Sequence, residues 1–185
     1  MDTDRFIAYL KENLLNTTDR LTAIDLDAWI FGAGLPANCP QVRSERIEQV
    51  DASLAAWEAR ETTTQNLPWD QWVYQERYRF LSNLDDGTSA ERMQELDSVW
   101  EISITGNNEV LFAWLEQSIR SNYTPSYERL ESFLIEVGRR KFLTPLYRAM
   151  IETGQKDMAL AIYSQARPNY HSVATGTMDE LLEMD

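Results

Sequence analysis

An all-α fold is what this sequence predicts, on three observations. Glycine and proline are scarce, at 7 and 6 of 185 residues, and long loops and β-turns depend on both. Apolar residues recur three and four apart through most of the chain, the spacing that keeps one helix face apolar. Helix start signals, Ser or Thr just ahead of Pro or Glu, return at short intervals.

Residues 4–15 place Phe6, Ile7, Leu10 and Leu14 on one stripe, and a short helix over 25–31 holds Leu26, Trp29 and Ile30. The run GAGLPANCPQ, Gly32 to Gln41, then brings two glycines, two prolines and no charge. Glycine permits unusual φ, proline fixes it, and neither continues a helix, so a boundary is expected there. The chain thus divides into residues 1–31, a linker over 32–42 and a helical domain over 43–185.

In that domain Ile47, Val50, Leu54 and Trp57 mark one helix, and the aromatic run from Trp69 to Tyr78 belongs to another that closes at Asn83. Thr88-Ser89-Ala90-Glu91 reads as a capping box, a hydroxyl accepting from the N3 amide while Glu91 reaches back. A helix through Met93, Leu96 and Trp100 follows it. Asn108 to Arg120 carries Val110, Leu111, Trp114, Leu115 and Ile119 on one face. Thr124-Pro125 and Thr144-Pro145 each predict a helix start: the hydroxyl caps, and proline at N1 lacks only an amide without a partner. Those helices end near Gly138 and Gly154. Asp157 to Ala166 forms the next, and Thr177 to Glu180 caps a short last one. Short helices joined by short loops predict stacked antiparallel pairs, an armadillo/HEAT-like α-solenoid.

The formal net charge of -13 argues against nucleic acid and anionic membrane as partners. No apolar run approaches the ~18 residues of a membrane span, and the acidic N-terminus lacks the plan of a signal peptide. Cys39 is the single cysteine, which rules out an internal disulfide and points to a reducing, cytoplasmic setting. The sequons at Asn16 and Asn122 are read as chance, since nothing else suggests secretion.

Catalytic chemistry is hard to place. A hydrolytic zinc site takes three or more His, Cys or carboxylate ligands, whereas His171 is the one histidine and HExxH is missing. A Ser-His-Asp or Cys-His arrangement would rest on the same residue, and its surroundings (PNYHSVATG) show no nucleophile elbow. His171 is therefore read as capping or bonding a nearby turn. Gly32 to Gly34 (GAG) lacks the lysine and the strand-to-helix context of a phosphate loop. The aromatics from Trp69 to Tyr78 are read as core.

One feature stands apart. Gly138 to Pro145 (GRRKFLTP) sets Arg139, Arg140 and Lys141 side by side in an acidic chain. The span from Arg120 to Arg167 holds eight basic residues against five acidic ones, the reverse of the overall balance. On charge placement alone the trio reads first as cations favourably set at a helix C-terminus, worth about 0.3–1 kcal/mol each. Three adjacent cations exceed what one helix end needs. The sharper reading is a carboxylate reader: Arg offers a planar fork and Lys a movable point charge, with Phe142 and Leu143 anchoring them in the core.

Two stretches together resemble the leukotriene A4 hydrolase branch of the M1 zinc aminopeptidases. Asp27 to Pro36 (DAWIFGAGLP) is similar to the family's Trp-Leu-Tyr-x-x-Gly-Leu-Pro. Gly138 to Tyr147 (GRRKFLTPLY) is similar to its Gly-Arg-x-Lys-Phe-x-x-Pro-Leu-Phe/Tyr. Weaker agreement runs through Asn108-Glu109-Val110, Phe112 to Leu115 and His171 to Thr175. The resemblance implies a C-terminal helical domain that closes one side of an active-site cleft. The zinc and HExxH of such enzymes lie in a preceding catalytic domain. It further implies that Arg139 and Lys141 bind the substrate carboxylate, the C-terminus of a short peptide or, in some members, an epoxide fatty acid. Arg140 falls at the family's x position. On this reading residues 1–31 are the last helices of the catalytic domain, which is the chain's partner, and the chain alone hydrolyses nothing. The rival reading is a stand-alone helical repeat module for protein–protein interaction, which would bury Trp29, Ile30 and Phe31 and have no HExxH upstream.

Overall fold

The computed structural model describes residues 2–184. Among them the regular structure is helical throughout, and it falls into two compact units, one running to Ser44 and one starting at Glu45.

The first unit holds α1 (Thr3–Asn13), α2 (Thr18–Ile24) and α3 (Leu26–Phe31). Asp2, Thr17 and Asp25 cap them, each side chain accepting from an amide three residues on. The sequence pattern does not announce α2, whose seven residues carry too few apolar side chains for a stripe. The Gly/Pro run after α3 is irregular, and the Asn38 amide ties it back by donating to the Ala23 and Ile24 carbonyls.

In the second unit α4 (Glu45–Glu58) packs on α5 (Tyr74–Ser82), and α5 on α7 (Asn108–Arg120). From α7 the same layer continues through α9 (Arg140–Glu152) to α11 (Ser172–Leu182). A second layer is formed by α8 (Tyr127–Glu136) and α10 (Lys156–Ala166), which pack on each other. Alternate helices stacking into two layers is the expected solenoid plan. The helix α6 (Ala90–Trp100) follows Ser89 and contacts the tight turns at Thr64–Asn66 and Ile102–Ile104.

The core runs the length of the unit as a chain of rings. Trp69 stacks on Trp100 with centroids 4.1 Å apart, and Phe80 meets Trp57, Trp72 and Trp100. The expected core role holds for Trp69 and Trp72, and in part for Tyr78, whereas Tyr74 is exposed. Phe112, Phe142 and Phe133 continue the chain, and Tyr147, Tyr163 and Tyr170 close it. Helix α7 is central: Val110 through Leu115 are all buried, more than the single face read from spacing, because α5 and α9 flank it in its own layer and α8 meets it from the second.

The helix expected from Trp69 begins only at Tyr74, after a tight turn over Trp69–Gln71, and three further predicted helix starts move. Ser89, not Thr88, caps α6, its Oγ accepting from the Arg92 amide at 3.4 Å. Thr88 is buried and its amide closes the preceding turn onto Asp85. Helix α11 begins at Ser172, capped by His171, rather than near Thr177, because its buried stripe, Ala174, Met178 and Leu182, starts earlier. His171 Nδ1 accepts from the Val173 amide at 3.2 Å, the capping role expected of it. The third correction concerns α9. It starts at Arg140, and Pro145 lies inside it. Phe142 and Leu143 are buried on the same stripe as Leu146, Tyr147 and Met150, which needs helical backbone from Phe142 onward. Burying two such side chains contributes roughly 3–6 kcal/mol, enough to offset the ~3 kcal/mol of an interior proline.

Candidate functional site

The start of α9 carries the basic trio. Because α8 ends at Glu136, the cations do not decorate its C-terminus. Arg139 is the N-cap of α9, with extended backbone (φ -86°, ψ 112°) and no capping bond from its side chain. Arg140 and Lys141 are the first two helical residues. A helix N-terminus concentrates unpaired N–H groups and positive partial charge, which favours anions and disfavours cations. The helix-end reading of the trio is therefore overturned, since cations here need an anion to offset them.

Glu109 supplies one. It is the second residue of α7, whose N-cap Asn107 accepts from the Glu109 and Val110 amides at 3.0 and 3.2 Å. Since α7 and α9 are neighbours in one layer, their N-terminal turns meet. Lys141 Nζ donates to both carboxylate oxygens of Glu109, at 2.7 and 2.6 Å. Arg139 Nη1 lies 3.9 Å from Glu109 Oε1, an ion pair without a hydrogen bond.

The same two cations flank one ring. Arg139 Cζ is 5.5 Å and Lys141 Nζ 5.4 Å from the centroid of Phe142, within reach of its negative face. Phe142 is buried against Phe112 and Phe133. Arg140 turns elsewhere: its Nη1 donates to Thr177 Oγ1 on α11, at 3.5 Å. The structure thus brings Arg139 and Lys141 together on one carboxylate and separates Arg140 from them. Exposure decides what remains available. The Arg139 side chain is 65% exposed and that of Lys141 50%, against 28% for Glu109, so most of the Arg139 side chain faces solvent.

A buried tyrosine pair backs the turn. The Tyr170 hydroxyl donates to the Leu134 carbonyl near the end of α8 and lies 3.3 Å from the Tyr147 hydroxyl on α9. Burial pushes the Tyr170 phenol up to about 12 and raises Tyr147 further, so both stay neutral hydrogen-bonding groups. A Cβ added at Gly138 would meet the Tyr170 ring at 3.5 Å, an ordinary contact.

Sequence reading did not single out Glu109 beyond its place in the resemblance. An acidic residue early in a helix is commonplace, and nothing local shows that it meets a lysine 32 positions on.

A family model described as leukotriene A4 hydrolase, C-terminal, matches residues 72–182. The chain belongs to the leukotriene A4 hydrolase C-terminal family. That match contains α5 through α11 and the whole Arg139–Lys141–Glu109 cluster. Among proteins of known annotation the chain is similar to leucine aminopeptidase 2 of Pyricularia oryzae, 24% identical over 92% of this chain and 28% of that protein. It is also similar to leucine aminopeptidase 2-1 of Scheffersomyces stipitis, 27% identical over 86% and 28%. Among solved structures it resembles native leukotriene A4 hydrolase from Saccharomyces cerevisiae (TM-score 0.74, 20% identity) and the yeast enzyme in complex with bestatin (TM-score 0.77, 20% identity). Those likenesses cover 99% and 100% of this chain and 33% of each larger one. The helical domain fold is thereby shared, and the chain spans under a third of the length of these annotated relatives.

The zinc expected of the wider family does not fit this chain's donor set. Among the described residues no three His, Cys, Asp or Glu side chains are grouped to hold a metal ion. No helix among them is long and apolar enough to cross a membrane.

Proposed function

We propose that this chain is the cleft-closing, substrate-recognising helical domain of a zinc aminopeptidase, and that Arg139 and Lys141 bind the C-terminal carboxylate of a short peptide. The observation carrying this reading is that two cations from one helix start converge on a single carboxylate, that of Glu109, with the Arg139 fork still largely open. A carboxylate from a ligand would meet that fork in bidentate geometry, the strongest form of such a contact. Lys141 adds charge, and the amides at the start of α9 add partial positive charge.

Held at its far end, the peptide presents its N-terminal scissile bond at a fixed distance from the domain. Remote binding energy is thereby converted into alignment at the reacting centre. The reaction itself belongs to a catalytic domain outside this chain, where the zinc would reside. Residues 1–31 are read as the last helices of that domain, and residues 32–42 as the linker. Exposure of Trp29 and Phe31, with Ile30 half-buried between them, supports this, since a covering neighbour would account for large apolar side chains left at a surface. A stand-alone interaction module would bury them.

The test is kinetic and uses the aminopeptidase polypeptide that carries this domain. Arg139→Ala is expected to lower kcat/KM for a tripeptide by tenfold or more, the scale of one charged hydrogen bond, and to leave the C-terminally amidated tripeptide nearly unchanged. Equal losses on both peptides, or none on either, overturn the carboxylate role. An upstream coding sequence without HExxH overturns the parent-enzyme reading independently.

A further inference from the structure

We propose that Glu109 is a specificity-determining residue of the carboxylate site, restricting it to ligands with a single negative charge at the bound end. This rests on the carboxylate-binding role of Arg139 and Lys141. The charge count at the start of α9 is the first ground. Arg140 is directed to Thr177, so two cations face the site, and Glu109 is the acid between them. Lys141 gives hydrogen bonds to both Glu109 oxygens, which leaves Arg139 as the cation with free donors. The cluster therefore carries one uncompensated positive charge, matched to one carboxylate.

The second ground is that Glu109 is built into its position. Its backbone amide is held by the Asn107 cap, its carboxylate sits at the amide-rich start of α7, and its side chain is the least exposed of the three. It also keeps Arg139 at arm's length: at 3.9 Å without a hydrogen bond, it orients the guanidinium electrostatically without occupying its fork. A ligand carboxylate can take that fork while Glu109 keeps Lys141. A second ligand carboxylate, as in a peptide ending in Asp, is brought against Glu109 itself. Like charges so juxtaposed in a site are strongly disfavoured.

The discriminating substrates are two tripeptides identical except for the last residue, Asn or Asp, which have the same size and differ by one charge. The wild-type aminopeptidase carrying this domain is expected to prefer the Asn-ended peptide in kcat/KM by about tenfold. Glu109→Gln, nearly isosteric, is expected to bring the two within about threefold, chiefly by lowering KM for the Asp-ended peptide. Lys141→Gln shifts the ratio the other way, because Glu109 then faces the ligand unpaired; this variant keeps the idea open to refutation should the first not fold. A ratio that stays at the wild-type value in either folded variant overturns the assignment, as does a parallel fall on both peptides, the mark of a merely structural role. The acid-against-amide comparison with Arg139→Ala separates the two levels. If that comparison fails, the carboxylate site itself falls. If it succeeds while the Asn/Asp ratio stays fixed, only the role of Glu109 falls.

Discussion

Two charge clusters in the second unit use the same chemistry to different ends. Glu76 lies buried in the first turn of α5, at 4% exposure. It accepts from Arg46 Nε and Nη2 at 2.6 and 2.7 Å and from the Val73 amide at 2.8 Å. The Arg46 hydrogen bonds hold the Glu76 carboxyl below its usual range, and the Val73 amide adds to the effect against the opposing cost of burial. One fork meets one carboxylate, and the remaining lone pair caps a helix. Glu109 is shared between two cations, of which one bonds it fully and the other scarcely. The first cluster is saturated and serves the fold. The second has charge and donors left over, as the binding role proposed for it requires.

The contrast is most severely tested beneath the open cluster. Phe142→Ala removes the ring under both cations and is expected to cost about 3–5 kcal/mol of stability, measurable by denaturant titration. If the protein loses far less, the cations are not seated on the core as described. Next in size is Glu76→Gln, which keeps the shape but removes the charge that holds Arg46. Thermal melting should fall clearly, while the acid-against-amide preference in peptide hydrolysis stays at the wild-type value. A change in that preference would erase the division between brace and surface.

A third cluster refines the picture. Arg167 donates to both oxygens of Asp179 at 3.0 and 2.9 Å, and the Tyr163 hydroxyl adds a bond of 2.6 Å. Arg167 first and Tyr163 second hold the Asp179 carboxyl down at about 2. A carboxyl depressed in the folded state contributes stability above its unfolded pKa, near 4, and that contribution is lost as pH falls through 2. Asp179→Asn should flatten stability against pH between about 4 and 2, and an unchanged profile would refute it. Smallest of all, Glu109→Gln should alter stability by no more than about 1 kcal/mol, since Lys141 is exposed and Glu109 only half-buried. A larger loss would make Glu109 a brace like Glu76.

Much of this was legible in the sequence where one signal acted alone. The bounds of α7, Asn108–Arg120, follow from the long apolar period of Val110, Leu111, Trp114, Leu115 and Ile119. The stacked all-helical plan follows from repeating that pattern with short connections. The start of α9 was hidden because two signals conflicted. Thr144-Pro145 announces a beginning, yet Phe142 and Leu143 belong to the buried stripe, and packing prevailed. The candidate site was legible as a run of three cations but not as a geometry. Which of them face one another depends on a carboxylate from the adjacent helix, and spacing within one segment carries no information about that.

Pro145 has one more consequence. Having no N–H, it cannot offer the Lys141 carbonyl the bond that an α-helix would supply there. The turn bearing the cations is accordingly fastened less by its backbone than by Phe142 and Leu143, whose side chains lie in the core. What must be inherited for the recognition turn to survive is therefore an apolar pair as much as a charged one. A descendant that kept Arg139 and Lys141 but lost Phe142 would preserve the letters of the site and forfeit its place.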